Sequence, residues 1–407
     1  MSAAGADGIG RRVAAMGEGA LTESALAEHV APLFSRALAA APGGIYLANH
    51  SLGRPLDAMD DDVREGLAAW YVQMGGAWDA WMSEVAAYRE RLARMLGAPA
   101  GDCVVPKTSA GQGLRTILNT FDAAVVPRVV ALRGEFDSLD VILREYARRS
   151  RIALTFVEAR AGGRFETPDI VAAIGARVDL VVVSDVVFNT GQRLDDVGAI
   201  VRATHAAGGR LLLDVYHSLG ALPVDVIAYD VDFAVGGSYK YLRGGPGACF
   251  LYLHPRHLDG SLRTLDIGWF AKRERFAYER PDPPELAAGG DAFLESTPPV
   301  ITWYQARAGQ RLALALGAAR VRAYSLEQQR RLVALLAERG IDARGGTADR
   351  GAFVVVETAH AARWCAALAA RGIVTDSRGP RLRLCPDVVT CDADLSRAAA
   401  ALGEIAR

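Results

Sequence analysis

The chain has 407 residues, a formal net charge of -1, and 51% hydrophobic and 23% charged side chains. This is the composition of a globular chain long enough for two domains, and its near-neutral charge gives no electrostatic reason to expect a nucleic acid or an anionic membrane as partner. Its five cysteines are odd in number and scattered, with no C-x-x-C pair, which argues against a disulfide framework and a zinc cage.

Residues 1 to 20 are rich in Gly and Ala, and their start is expected to be poorly ordered. They carry no apolar core of signal-peptide type, and no later run has the length of a membrane span, so the expected location is the cytoplasm. Leu21 to Ala40 has helical periodicity, with Thr22 or Ser24 as cap. Pro42-Gly43-Gly44 ends it, and a short strand, Ile45-Tyr46-Leu47, precedes the turn Asn49-His50-Ser51-Leu52-Gly53-Arg54-Pro55. From Asp60 to Leu96 the pattern is helical again, interrupted at Gly75-Gly76, and Trp70, Trp78 and Trp81 on it read as core or interface filling. Cys103-Val104-Val105 then leads into Pro106-Lys107-Thr108-Ser109-Ala110-Gly111-Gln112-Gly113, with a helix over Leu114 to Phe121. A small hydroxyl-bearing loop that opens a helix can seat a phosphate on its unpaired N–H groups, although many strand-to-helix turns look alike.

The middle of the chain alternates: strands at Arg128–Leu132, Ile152–Val157, Leu180–Ser184 and Leu211–Val215, with helices at Leu139–Arg149, Thr167–Ala176 and Asp195–Ala207 between them. Continuous apolar strands of this kind belong to a parallel sheet covered on both faces, so the expected class is a doubly wound α/β domain. Ligands of such sheets bind beyond the carboxyl ends of the strands, where Phe136, Ser184-Asp185, Asp214 and Lys240 fall. Neither G-x-G-x-x-G after the first strand nor G-x-x-x-x-G-K-[ST] occurs, which counts against dinucleotide and Walker-type sites. Further strands are expected near Asp232–Val235 and over Gly247–His254, then an irregular region over Leu258–Ala288. Beyond the long helix that begins at Thr302, helices near Leu326–Arg339, Ala361–Ala370 and Ala393–Ile405 alternate with strands at Phe353–Glu357 and Arg381–Cys385. The expected division is an arm, residues 1–60, joining the small domain; a large domain, 61–300; and a small C-terminal α/β domain, 301–407.

Lysine occurs only at positions 107, 240 and 272. Lys240 lies at an apolar strand end after Gly236-Gly237-Ser238-Tyr239, where glycines admit a ligand to the backbone and a carbonyl cofactor can form a Schiff base. Asp214, on the neighbouring strand, can keep a pyridinium nitrogen protonated. Together they point to pyridoxal phosphate.

These residues carry a resemblance. Tyr46-Leu47 with Ser51-Leu52-Gly53, Asp214-x-x-His217-Ser218 with Pro223-Val224-Asp225, Ser238-Tyr239-Lys240-Tyr241, Gly268-Trp269, Phe293-Leu294 with Thr297-Pro298-Pro299, and Arg383 with Pro386 resemble fold-type I pyridoxal phosphate enzymes of the class V aminotransferase superfamily, kynureninases most of all. The resemblance implies Lys240 as the Schiff-base lysine, Asp214 on the ring nitrogen with His217 supporting it, and Phe136 stacked on the ring. It implies a phosphate seat at Thr108-Ser109-Ala110 with Tyr239, where Ala110 stands in place of the family's usual threonine. Trp269 is implied as a cofactor-site residue, and Ser296 and Thr297 as reaching the cofactor or substrate of the other subunit of a homodimer. Arg383 is implied as the clamp on an α-carboxylate, and Tyr239 as a proton donor. His50 falls where the turn departs from the family's Gly-Asn-Ser-Leu-Gly, and so bears on substrate choice. The implied reaction is hydrolysis of the Cβ–Cγ bond of L-kynurenine or 3-hydroxykynurenine. The alternative is a class V aminotransferase, epimerase or lyase reaction on another amino acid.

Overall fold

The computed structural model describes residues 2–407, with side chains from residue 8 onward. After a short first strand, β1 (Ile45–Tyr46), come the seven strands of the central sheet: β2 (Val104–Lys107), β3 (Arg128–Leu132), β4 (Ala153–Val157), β5 (Leu180–Ser184), β6 (Arg210–Asp214), β7 (Phe233–Gly237) and β8 (Cys249–Leu253). Their order across the sheet is β2-β8-β7-β6-β5-β3-β4. From β4 to β7 every pairing is parallel, and β8 alone runs antiparallel to both its neighbours. The central strands are apolar throughout because both faces are covered. Val181, Val183, Leu211 and Leu213 belong to one packed cluster, and Leu180, Val182 and Leu212 to the cluster on the opposite face. The expected mostly parallel α/β architecture is thus present.

The register sets Ser184 opposite Asp214, and Asp214 opposite Val235, so the carboxyl ends of β5, β6 and β7 form one rim. The connections leaving that rim carry the polar groups of the site. The remaining strands are β9 (Val354–Glu357), β10 (Ile373–Val374), β11 (Asp376–Arg378) and β12 (Arg381–Leu384). Here β1 pairs in parallel with β10, and a second small sheet has the order β11-β12-β9. Cys385 donates its backbone N–H to Leu47 O at 2.7 Å, so the segment after β1 is laced to the end of β12.

Several local expectations differ from what the chain does. The N-terminal stretch expected to be poorly ordered forms the helix Ser2–Ala14, and its Ile9 and Val13 are buried with Leu312 and Leu316 of the helix Ile301–Leu316; Met1 lies outside the described residues. Leu21–Ala40 is not one helix. Thr22 does cap Glu23–Ala25, but the chain widens over Leu26–Val30 and tightens over Ala31–Phe34 before Ser35–Ala39. Pro32 explains the break, since it has no N–H to give the preceding turn. The helix expected from Leu114 starts at Ala110, because Ser109 Oγ accepts the Gln112 N–H at 3.0 Å and caps it. Among the described residues, no helix is long and apolar enough to cross a membrane.

Candidate active site

At the rim lies a cavity of ≈ 200 Å³ whose walls include Ser109, Ala110, Phe136, Ser184, Asp214, Tyr216, His217, Tyr239, Lys240 and Cys249. Lys240 is 4% exposed, with its Nζ 2.7 Å from His217 Nε2 and 4.6 Å from the centre of the Tyr216 ring. Burial pulls the ammonium down to about 7, opposed by the charge of Asp214. Asp214 is likewise buried, and its Oδ1 accepts the Tyr216 N–H at 2.8 Å. Burial pushes that carboxyl up to about 6, against the Tyr216 hydrogen bond and Lys240. A lysine amine near neutrality and a buried carboxylate on the wall of the same cavity form the charge pattern a pyridinium aldehyde requires.

His217 bonds Lys240, because Asp214 closes a tight turn onto the Tyr216 amide and the imidazole, one residue further on, swings toward the lysine. Burial and the Lys240 charge hold it far below its ordinary range, so it is neutral. Its Nδ1 is buried without a hydrogen-bond partner.

The backbone around Lys240 is gripped from outside. Gly53 donates its N–H to Tyr239 O at 2.8 Å, and a Cβ there would lie 2.0 Å from Lys240 O. Tyr46 Oη donates to Leu52 O at 2.6 Å and fixes the same turn. At Gly237 a Cβ would fall 2.1 Å from Tyr216 Oη, so glycine is what admits the Tyr216 ring.

The expected phosphate seat falls at the start of the helix Ala110–Leu118. Ser109 accepts from the Gln112 amide, which leaves its own O–H to donate. Thr108 is tied to Gln112 instead, by its N–H to Oε1 at 2.7 Å and its hydroxyl to the same oxygen at 3.0 Å. Ala110 offers an amide at the helix entrance and no hydroxyl. Phe136 lies on the cavity wall with its ring 5.2 Å from Lys240 Nζ and edge-on to Phe188. Tyr239 is packed beside Tyr216, ring centres 5.1 Å apart, and burial pushes its phenol up to about 12, so it holds its proton. With Lys240, Asp214, an anion-seating helix start and an aromatic wall around one cavity, the residues present fit pyridoxal phosphate.

The substrate residues are placed less directly. Arg383 is 2% exposed, and its Nε and Nη2 pair with Asp376 at 2.6 and 2.7 Å while Nη1 donates to Phe188 O. Of five guanidinium N–H groups, three are thereby used, and one on each terminal nitrogen is left. His50 is fully buried behind His217, stacked on Phe353 with ring centres 4.8 Å apart, its Nε2 3.3 Å from Asp376 Oδ1. Burial pushes it down to about 4. Trp269, Ser296 and Thr297 do not line the Lys240 cavity. Trp269 Nε1 donates to Thr297 Oγ1 at 3.2 Å, and Ser296 and Thr297 line a neighbouring cavity of ≈ 570 Å³ that touches the first at Thr108. Tyr216, Cys249 and Asp376 escaped the sequence reading. Tyr216 could have been found from its place inside the Asp-x-x-His turn, whereas Asp376 needs the pairing of β11 with β12.

The fold and the Lys240–Asp214 pair define a fold-type I pyridoxal phosphate enzyme. The description Aminotransferase class-V matches residues 56–383, and the chain belongs to that pyridoxal phosphate-dependent family. Within it the chain is kynureninase-like. It is 32% identical to the kynureninase of Deinococcus radiodurans over 362 residues, covering 83% of this chain and 84% of that one. It is 29% identical to the kynureninase of Geobacillus thermodenitrificans over 365 residues, covering 85% and 84%. Among solved structures, the complex between the cystine C-S lyase C-DES and its reaction product cysteine persulfide superposes with a TM-score of 0.80 at 19% identity, over 90% of this chain and 99% of that one. The cysteine desulfurase from Thermococcus onnurineus NA1 gives 0.77 at 17%, over 89% and 94%. At such identities the likeness is one of fold.

Proposed function

We propose that this chain hydrolyses the Cβ–Cγ bond of L-kynurenine or its 3-hydroxy form, releasing anthranilate or 3-hydroxyanthranilate and L-alanine. The observation that carries this reading is the similarity to kynureninases along more than four-fifths of both chains. Pyridoxal phosphate, when bound, supplies the electron sink for charge developing next to the amino group. Lys240 holds the cofactor covalently and moves the proton at Cα, a role suited to an amine whose buried pKa is near 7. His217 fixes the lysine nitrogen in place, and Asp214 keeps the ring nitrogen protonated. Ser109 and the helix start hold the phosphate, with Phe136 against the ring. The free edge of Arg383 takes the α-carboxylate, the geometry in which arginine outperforms lysine. Tyr239, protonated at neutral pH, delivers the proton that Cβ of the three-carbon product needs. Ser296, Thr297 and Trp269 act on the site of the second subunit of a homodimer, and the setting is tryptophan breakdown in the cytoplasm.

The test is direct. Purified protein given L-kynurenine is expected to produce fluorescent anthranilate and alanine in equal amounts, and Lys240→Ala is expected to lose both turnover and the borohydride-fixable bond between protein and cofactor. Formation of a keto acid, or no turnover of either kynurenine, rejects the substrate assignment. A Lys240→Ala protein to which borohydride still fixes the cofactor rejects the lysine.

A further inference from the structure

Glu135 belongs to no part of the chemistry above, yet it sits directly under the site. It follows β3 and precedes the aromatic wall residue Phe136, and it is 3% exposed. The pairing of β3 with β5 ends at Ala131 opposite Val182, so the Ser184 N–H has no partner on β3. Glu135 takes that N–H on Oε1 at 3.0 Å, and its Oε2 lies 2.6 Å from Ser184 Oγ. Among the described residues no lysine, arginine or histidine pairs with it, and the charged groups that face it are both acidic: Asp214 at the end of β6 and Asp140 on the helix Asp137–Arg148.

We propose that Glu135 is a positioning residue of the cofactor site, a buried carboxylic acid that keeps its proton, donates it in a hydrogen bond to Ser184 Oγ, and so turns the Ser184 O–H into the cavity. An ionised Glu135 would be an uncompensated buried charge beside the like charge of Asp214, which is the costly arrangement. Burial pushes this acid up to about 8, against the two Ser184 hydrogen bonds and with the help of Asp214 and Asp140. Ser184 Oγ donates to an ionised Oε2 at 2.6 Å but accepts from a protonated one, and a hydroxyl that accepts there has its own hydrogen to spend elsewhere. Ser184 is part of the cavity wall, next to Asp214, so that hydrogen faces the bound ligand. Asp214 thereby has no second charge from Glu135 beside it, and an O–H donor stands ready for an electron-rich oxygen of the cofactor. Once Glu135 ionises, the Ser184 O–H turns back to the carboxylate and the cavity loses its donor. The inference rests on the cofactor reading and is independent of the choice of substrate.

The experiment compares wild type with Glu135→Gln, whose amide donates to Ser184 Oγ and accepts from the Ser184 N–H but has no proton to lose. In the cofactor-free protein at neutral pH, infrared spectroscopy is expected to show a protonated-carboxyl band that Glu135→Gln removes. In the holoenzyme, the visible spectrum of the bound cofactor is expected to titrate with a midpoint near 8 in wild type, and both Glu135→Gln and Ser184→Ala are expected to abolish that midpoint. A band unchanged by Glu135→Gln, superimposable titrations of wild type and variant, or a Glu135→Gln chain that fails to fold would each overturn the proposal. Should the protein take up no cofactor, the cofactor reading fails, while the infrared band still decides whether Glu135 holds its proton.

Discussion

At the scale of single residues, the site is a set of buried ionisable groups whose protonation depends on neighbours. Lys240 attacks a carbonyl only as the free amine, so uptake of pyridoxal phosphate by the apoenzyme is expected to plateau above about pH 7. Below that it should slow by about tenfold per pH unit, which stopped-flow absorbance can follow. Glu135 acts on stability. Its native pKa is raised from the ordinary 4.5 to about 8, so over that window the unfolded chain gives up a proton that the native one keeps. Stability contributed by this group is whole below pH 4.5 and falls as pH rises, by up to about 1.4 kcal/mol per unit. Denaturant titrations of Glu135→Gln should flatten that slope. Asp376 lies opposite Arg383 in the β11–β12 register and holds the guanidinium side-on. Asp376→Asn is expected to raise KM roughly tenfold or more while changing kcat less, because a charge-assisted bidentate pair becomes a weaker one; steady-state kinetics with the proposed substrate decides. Sequence reading placed Lys240, Asp214 and Phe136 at strand ends that hydrophobic patterning locates, and all three line the rim cavity. The Lys240–His217 contact was not legible, because which of two charges an imidazole meets depends on how the Asp214 turn closes.

At the scale of elements, the parallel strands were legible because burial on both faces leaves no room for polar alternation, as in Leu180–Val183. Helix starts were less so, since one serine, Ser109, draws the helix back to Ala110. The Leu21–Ala40 stretch has the periodicity of a helix and the proline of a broken one, and the proline won. The turn after β1 braces the site from behind, for Gly53 lies against the backbone of Lys240 with no space for a methyl group. Gly53→Ala must move either the turn or the lysine, at a cost of about 1–3 kcal/mol. It is therefore expected to lower the melting temperature and to speed the loss of cofactor on dialysis, both measurable by absorbance.

At the scale of the whole molecule, the cavity lined by Ser296 and Thr297 adjoins the Lys240 cavity at Thr108 without entering it, and the proposed homodimer would bring the second subunit's Ser296 and Thr297 to the site. Trp70 (54% exposed), Tyr71 (85%), Met74 (66%) and Tyr278 (71%) give this chain an apolar surface of the kind a second copy covers. Two variants, Lys240→Ala and Thr297→Ala with Ser296→Ala, then complement each other. Unfolded together and refolded as an equal mixture, they should recover roughly a quarter of wild-type sites, the share that draws each half from an intact subunit; activity no greater than the sum of the separate variants would reject shared sites. The pairing of β1 with β10 also has a temporal side. Ile45 leaves the ribosome long before its partner, Ile373. The turn that braces Lys240 therefore waits for a strand that does not yet exist, and such a long-range closure is slow. A nascent chain halted before residue 373 is therefore expected to release added pyridoxal phosphate readily, and a chain that includes β10 to keep it.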